Sequence, residues 1–201
     1  MKLIVITGGI GSGKSEVCRI LCERFDIPVY EADTKVKMLY VEHPTLLDDI
    51  ESHLGESFRK ADGNFDPYAL AKRIFSDDSA LTAVEELVFP ALMDDFRSFM
   101  KLHQDADYIV FESATVLEKP QFDGFGDFVV LVDAPKDLRM MRAMERDSVP
   151  ESKVAERMDK QRLMNHLSDG GEDDRINFRI INDSSKEKLQ EKVAELMEKL
   201  A

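Results

Sequence analysis

The chain has 201 residues, 43% of them hydrophobic, which suits one large domain or a core with a modest insertion and supports a full apolar interior. Its formal charge is −13, from 40 carboxylates against 27 Lys and Arg, so its surface repels phosphate backbones; this argues against nucleic-acid and anionic-membrane partners. No apolar run approaches the roughly 20 residues of a membrane span. Met1–Ile6 enters a strand-like run at once, unlike a secretory signal, and a cytoplasmic protein is expected. Cys18 and Cys22 lie four apart in a helical stretch and are read as small buried hydrophobes, since one pair cannot make a metal site.

Lys2–Ile6 is an apolar β-branched run stopped by Thr7-Gly8-Gly9, and it reads as a buried strand. Val17, Ile20, Leu21 and Phe25 then follow helical spacing from Lys14. Ile27–Tyr30 is a second strand. Residues 34–100 carry helical patterns broken at Pro44, Gly55, Gly63 and Pro67. Strands return at Asp107–Phe111, Phe128–Val132 and Arg179–Ile181, with helices expected over 136–146, 151–164 and Lys186–Leu200. Five short strands alternating with helices predict an α/β fold, a mostly parallel sheet flanked by helices. The stretch 34–100 is too long for one crossover and is expected to be a helical subdomain.

Gly8-Gly9-Ile10-Gly11-Ser12-Gly13-Lys14-Ser15 fits the pattern of Gly, four residues, then Gly-Lys-Ser/Thr, between a strand and a helix. Glycines there let successive amides turn inward, and the helix start adds partial positive charge. The amides of Gly11, Gly13, Lys14, Ser15 and Glu16, in a turn opened by Gly8 and carrying Ser12, are expected around the α- and β-phosphates of a nucleotide. Lys14 would reach the β- and γ-phosphates, and the Ser15 hydroxyl would ligate Mg²⁺ carried by ATP. The Glu16 side chain is expected to point outward.

Asp33 follows the second strand, at the carboxyl edge of the sheet where ligands of such folds sit. A carboxylate there can take the proton of an attacking hydroxyl, and an N-cap before Thr34–Leu39 explains it equally well. Residues 133–165 hold eight Lys and Arg against seven carboxylates, the one extended stretch with cationic parity. Arg139, Arg142 and Arg146 share a helical face, which suits a lid that neutralises a transferring phosphoryl group and excludes water. Glu112-Ser113 is a weak equivalent of a metal-holding Asp, and Asp133 reads as a turn residue.

On these residues the sequence resembles the dephospho-CoA kinase family of P-loop kinases. The resemblance rests on Thr7–Ser15, on Ala32-Asp33 and on Asp62-Gly63 followed by Leu70 and Phe75. It extends through Arg142–Asp147, Arg157 with Gln161, and Ile180–Asp183. It implies transfer of the ATP γ-phosphoryl group to the 3′-hydroxyl of dephospho-CoA. Asp33 would be the base, Lys14 and Arg142 would stabilise charge, and Arg146 would support the lid. It also implies a P-loop core at 1–33, 105–136 and 166–201, a helical acceptor (CoA)-binding subdomain at 34–104 and a helical lid at 137–165. The chain departs from the family pattern at Glu31, Asp66-Pro67, Phe89-Pro90 and Ala114–Glu118, mostly where the acceptor would bind; Lys72 and Arg73 are candidate replacements for a lost cation. Another small-molecule or nucleoside-monophosphate kinase, or a nucleotide-binding regulatory protein without transfer activity, remains an alternative reading of the same residues.

Overall fold

Alternation of side chains sets the centre of the sheet. In the computed structural model, which describes residues 1–200, Lys2–Thr7 forms β1, with Ile4 and Ile6 buried on one face and Val5 on the other. Four further strands join it: β2 (Val29–Glu31), β3 (Tyr108–Glu112), β4 (Phe128–Asp133) and β5 (Phe178–Ile181). Their order is β2-β3-β1-β4-β5, and every pairing is parallel. The five expected strands are all present, and the sheet is parallel throughout.

Parallel neighbours need crossover connections, which bring helices over both faces and bury the strands twice. On one face, Val17, Ile20 and Leu21 of α1 (Lys14–Phe25) and Leu189, Val193 and Leu196 of α9 (Lys186–Leu200) close over Ile4, Ile6, Val130 and Val132. On the other, Val5, Val129 and Leu131 pack with Val116 and Leu117, and with Met164 and Leu167 of α8 (Arg162–Ser168). Phe111 adds aromatic contacts with Tyr30, Phe122 and Phe125. Between β4 and β5 run α6 (Lys136–Asp147), α7 (Glu151–Lys160) and α8. The helix expected over 151–164 is interrupted at Gln161, whose φ of −86° and ψ of 63° end α7 and start α8.

The chain divides into two compact units, Met1–Glu31 with the residues from His103 onward, and Ala32–Leu102. The second holds α2 (Ala32–Glu42), α3 (Pro44–Leu54), α4 (Pro67–Ser76) and α5 (Asp78–Leu102). Ala80, Val84, Val88, Leu92 and Phe96 recur every fourth residue as the buried stripe of α5, while Pro90 falls on its exposed side. Asp66-Pro67 is a helix start: the Asp66 carboxylate accepts from the N–H groups of Tyr68 (3.1 Å) and Ala69 (3.2 Å), with Pro67 at the first helical position.

Two expectations are corrected here. Cys18 is buried but Cys22 is exposed, because the buried face of α1 is made by Val17, Cys18, Ile20 and Leu21 and Cys22 rotates past it. Asp33 does not cap a helix beginning at Thr34, since α2 starts directly after β2 at Ala32 and places Asp33 inside its first turn.

Candidate active site

Central strand β1 ends at Thr7 and α1 begins at Lys14, so the six-residue glycine-rich loop between them lies at the carboxyl edge of the sheet. Gly13 is the N-cap of α1 with φ of 100°, and Gly11 has φ of 75°. Both angles lie in the left-handed region that side chains disfavour. The helix that follows offers first-turn N–H groups without intrahelical acceptors, with the positive end of its dipole beside them. The loop is internally braced: the N–H of Ser12 donates to the carbonyl of Gly9 at 3.2 Å.

Lys14 folds back over this loop. Its Nζ donates to the carbonyl of Gly8 at 3.0 Å and lies 3.7 Å from Oε1 of Glu112, the last residue of β3. Ser15 presents an exposed side chain at the first turn. Glu16 turns its carboxylate to Arg19 (2.6 Å), as its outward direction predicts, and that hydrogen bond lowers its pKa. Its N–H donates to the carbonyl of Gly13 at 3.1 Å, so this amide already has a partner within the loop. The hydroxyls of Thr7 and Ser12 are buried without hydrogen-bond partners, two polar groups left over at the loop itself. A phosphate cradle suits these observations: inward-capable amides, a lysine on the loop and leftover hydroxyls.

Segments far along the chain hold the loop from outside. Arg139 on α6 is 1% exposed, and its Nε donates to the carbonyl of Ile10 at 3.2 Å. Its Nη1 donates to Ser168 Oγ (2.7 Å), which in turn donates to Asp133 Oδ1 (2.8 Å). Asp133 Oδ1 also accepts from the N–H of Ala134 (2.8 Å) and lies 3.7 Å from Arg139 Nη1. Burial lowers the pKa of Arg139, and the charges of Asp133 and Asp169 oppose that shift. Gln161 Oε1 accepts from the N–H of Ile10 at 2.8 Å, and Asn182 Nδ2 donates to the carbonyl of Ser12 at 2.9 Å.

Among the residues singled out in the sequence, Gly8, Gly11, Ser12, Gly13, Lys14, Ser15 and Glu16 form one continuous site. Arg142 reaches it at one remove: its Nη1 donates to the carbonyl of Asn182 at 3.1 Å. Arg146 is exposed at the last turn of α6 and pairs with Asp147 (2.8 Å), which also takes Arg157 (2.6 Å); these partners hold the Asp147 carboxyl below its ordinary pKa. Arg139 does not share the open face of Arg142 and Arg146, because Asp133, Ser168 and the Ile10 carbonyl draw it inward. Asp133 is the buried anchor of that network, not a turn residue. Asp33 is exposed at the start of the Ala32–Leu102 unit, two residues after β2 ends. Buried polar residues closing apolar strands, as at Thr7, Glu112 and Asp133, are the sequence signal for the network that holds the loop.

The sequence profile of the dephospho-CoA kinase family matches residues 2–185. The chain belongs to that family. Among its relatives, the dephospho-CoA kinase of Porphyromonas gingivalis is 35% identical over 173 residues, covering 86% of this chain and 84% of the relative. That of Bacteroides fragilis is 32% identical over 183 residues, covering 91% and 85%. Among solved structures, TT1252 from Thermus thermophilus superimposes with a TM-score of 0.80 at 26% identity, over 100% of this chain and 98% of the other. The dephospho-CoA kinase of Campylobacter jejuni shares the fold, with a TM-score of 0.59 at 20% identity over 100% and 97% of the two chains. Family membership makes the protein a nucleotide-using phosphotransferase with an alcohol acceptor.

Proposed function

We propose that the chain transfers the γ-phosphoryl group of ATP to the 3′-hydroxyl of dephospho-CoA, giving CoA and ADP as the last step of coenzyme A biosynthesis. The observation that carries this reading is a family match spanning residues 2–185 on a chain whose phosphate loop, Lys14 and flanking strand ends are all in place. The acceptor hydroxyl attacks the γ-phosphorus, the bond to the bridging β,γ-oxygen breaks, and the hydroxyl proton passes to a carboxylate. Asp33 is assigned as that base. Its support is its exposure and its place just beyond the carboxyl end of β2, the edge where ligands of parallel sheets bind.

Lys14 and Arg142 are assigned to stabilise charge on the transferring group. The amides of Gly11, Gly13, Lys14 and Ser15 are assigned to the phosphates. Residues 137–165 are assigned as the lid, with Arg146 supporting it, and 34–104 as the acceptor-binding subdomain. Arg73 is committed to Glu56 and Asp77, both at 2.6 Å, which favours exposed Lys72 as the cation for substrate phosphate in that segment. Mg²⁺ is a hard cation that prefers oxygen, and the exposed hydroxyl of Ser15 beside the loop fits it. Bound with the nucleotide and held by the Ser15 hydroxyl, Mg²⁺ would supply charge neutralisation on the phosphates.

ADP release measured separately with dephospho-CoA, AMP and shikimate tests the reading. Turnover is expected with dephospho-CoA alone; turnover with either other acceptor replaces the acceptor assignment, and ATP binding without acceptor-dependent turnover replaces transfer itself. In the same assay Asp33→Asn should keep ATP affinity and lose at least about 100-fold in rate, the contribution of a general base. An unchanged rate removes Asp33 from that role.

A further inference from the structure

The peptide units around Ile10 are held by groups from outside the loop on both sides. The N–H of Ile10 goes to Gln161 Oε1 at 2.8 Å and its carbonyl to Arg139 Nε at 3.2 Å. Its side chain packs into the small core of Ala143, Val154 and Met158 between α6 and α7. Nothing in the loop motif calls for these three attachments. Gln161 is the residue that breaks the 151–164 helix, and Arg139 is a guanidinium buried to 1% exposure. Burying that charge is costly unless it is paired; Asp133 and Ser168 hold its Nη1 and the Ile10 carbonyl its Nε, while Nη2 is buried without a hydrogen-bond partner. The fit is close: a Cβ added at Gly9 would lie 2.7 Å from Arg139 Nη2, so the guanidinium would have to shift.

A peptide unit is planar and trans, so its carbonyl and the following N–H point in opposite directions. Holding the Ile10 carbonyl toward Arg139 therefore turns the N–H of Gly11 away from Arg139. Asn182 does the same two residues on: it holds the Ser12 carbonyl and so sets the direction of the Gly13 N–H. We infer that Arg139 and Gln161 are positioning residues that fix the Ile10 peptides before any ligand arrives, so that the Gly11 amide is already aimed for a phosphate oxygen. The assignment rests on the proposed phosphate-binding role of the loop. Preset donors need no reorganisation when the anion enters, and that is where the gain in affinity lies.

Inorganic tripolyphosphate is the probe, because it has no base or ribose and reads the loop alone. Gln161→Met removes the acceptor for the Ile10 N–H, and Arg139→Lys keeps a cation beside Asp133 while losing the fork that serves Ile10 and Ser168 together. Calorimetry on the full chain should show tripolyphosphate binding weakened about 3- to 10-fold by each change, the scale of one hydrogen bond. The melting temperature without ligand should stay near that of the wild type for Gln161→Met. With ATP varied, KM should rise by a similar factor while kcat at saturation changes less. Wild-type tripolyphosphate affinity in either folded variant overturns the assignment for that residue, as does a fall in melting temperature with affinity unchanged. Absence of binding to the wild-type chain, or binding undiminished by Lys14→Ala, would instead overturn the phosphate-loop reading. A measurement on the unaltered protein stands apart from folding of variants: the Ile10 amide should be protected from hydrogen exchange without ligand, and exchange at the rate of an open loop overturns the clamp.

Discussion

At Gly11 two constraints coincide, as they do at Gly13 and Gly126, while Gly55 carries only one of them. The Gly11 φ of +75° is unfavourable for any residue with a Cβ, and a Cβ built there would run into the carbonyl oxygen of Arg139. Gly55, closing α3, has almost the same φ of +70°, but open space surrounds the position a Cβ would take. The two glycines therefore separate backbone strain from crowding. Gly55→Ala should cost about 1 kcal/mol of stability from the left-handed conformation and leave ATP affinity unchanged. Gly11→Ala should cost more than that and weaken ATP binding by at least about 10-fold, because the loop must shift away from Arg139 and carry its own amide with it. Thermal unfolding and nucleotide calorimetry on both variants check the contrast. Equal losses of affinity would mean that crowding by Arg139 is irrelevant to the loop.

Elements were legible where their signal was local. The β-branched runs at Lys2–Ile6 and Phe128–Val132, the glycine pattern at 8–15 and the helical spacing of Val17, Ile20, Leu21 and Phe25 each lie within one stretch of chain. Arg139 was not legible as a buried residue because, beyond Asp133 six residues before it, its hydrogen-bond partners stand 29 residues away at Ser168 and 129 away at Ile10, and without them a helical arginine belongs in water. The break at Gln161 was hidden for the same reason, since its partner is an amide of the loop at the other end of the chain. The joint between α4 and α5 shows how much an element boundary can depend on one carboxylate. Asp77 accepts from the Ser79 hydroxyl (2.5 Å), from Arg73 (2.6 Å) and from the N–H groups of Ser79 (2.9 Å) and Ala80 (3.2 Å). The Ser79 and Arg73 hydrogen bonds come first in holding this carboxyl well below its ordinary value of 3.8. A depressed folded pKa gives stability that is present above the ordinary value and lost as pH falls toward the folded one. Melting temperatures followed from about pH 4 down to about pH 2 should fall less steeply in Asp77→Asn than in the wild type. Superimposable acid limbs would show that the cap does not act through its charge.

Across the whole molecule, a surface of net charge −13 must still take up a highly anionic nucleotide. The means we propose are local: helix-start amides, Lys14 and the guanidinium of Arg142, none of which needs a basic surface. Such binding favours the folded chain, because an unfolded loop has no cradle. At about 100 times the dissociation constant, ATP with Mg²⁺ should add about 2.7 kcal/mol to stability. For a chain of this size that is a rise of about 5 to 10 °C in melting temperature, at about 2–4 °C per kcal/mol. The same ligand should move the melting temperature of Lys14→Ala far less. Where calorimetry resolves two transitions, the shift should fall on the unit that carries β1 and α1, since the loop and its clamps at Arg139, Gln161 and Asn182 all belong to it. A shift confined to the Ala32–Leu102 unit would place the triphosphate elsewhere and end the case for the glycine-rich loop as its site.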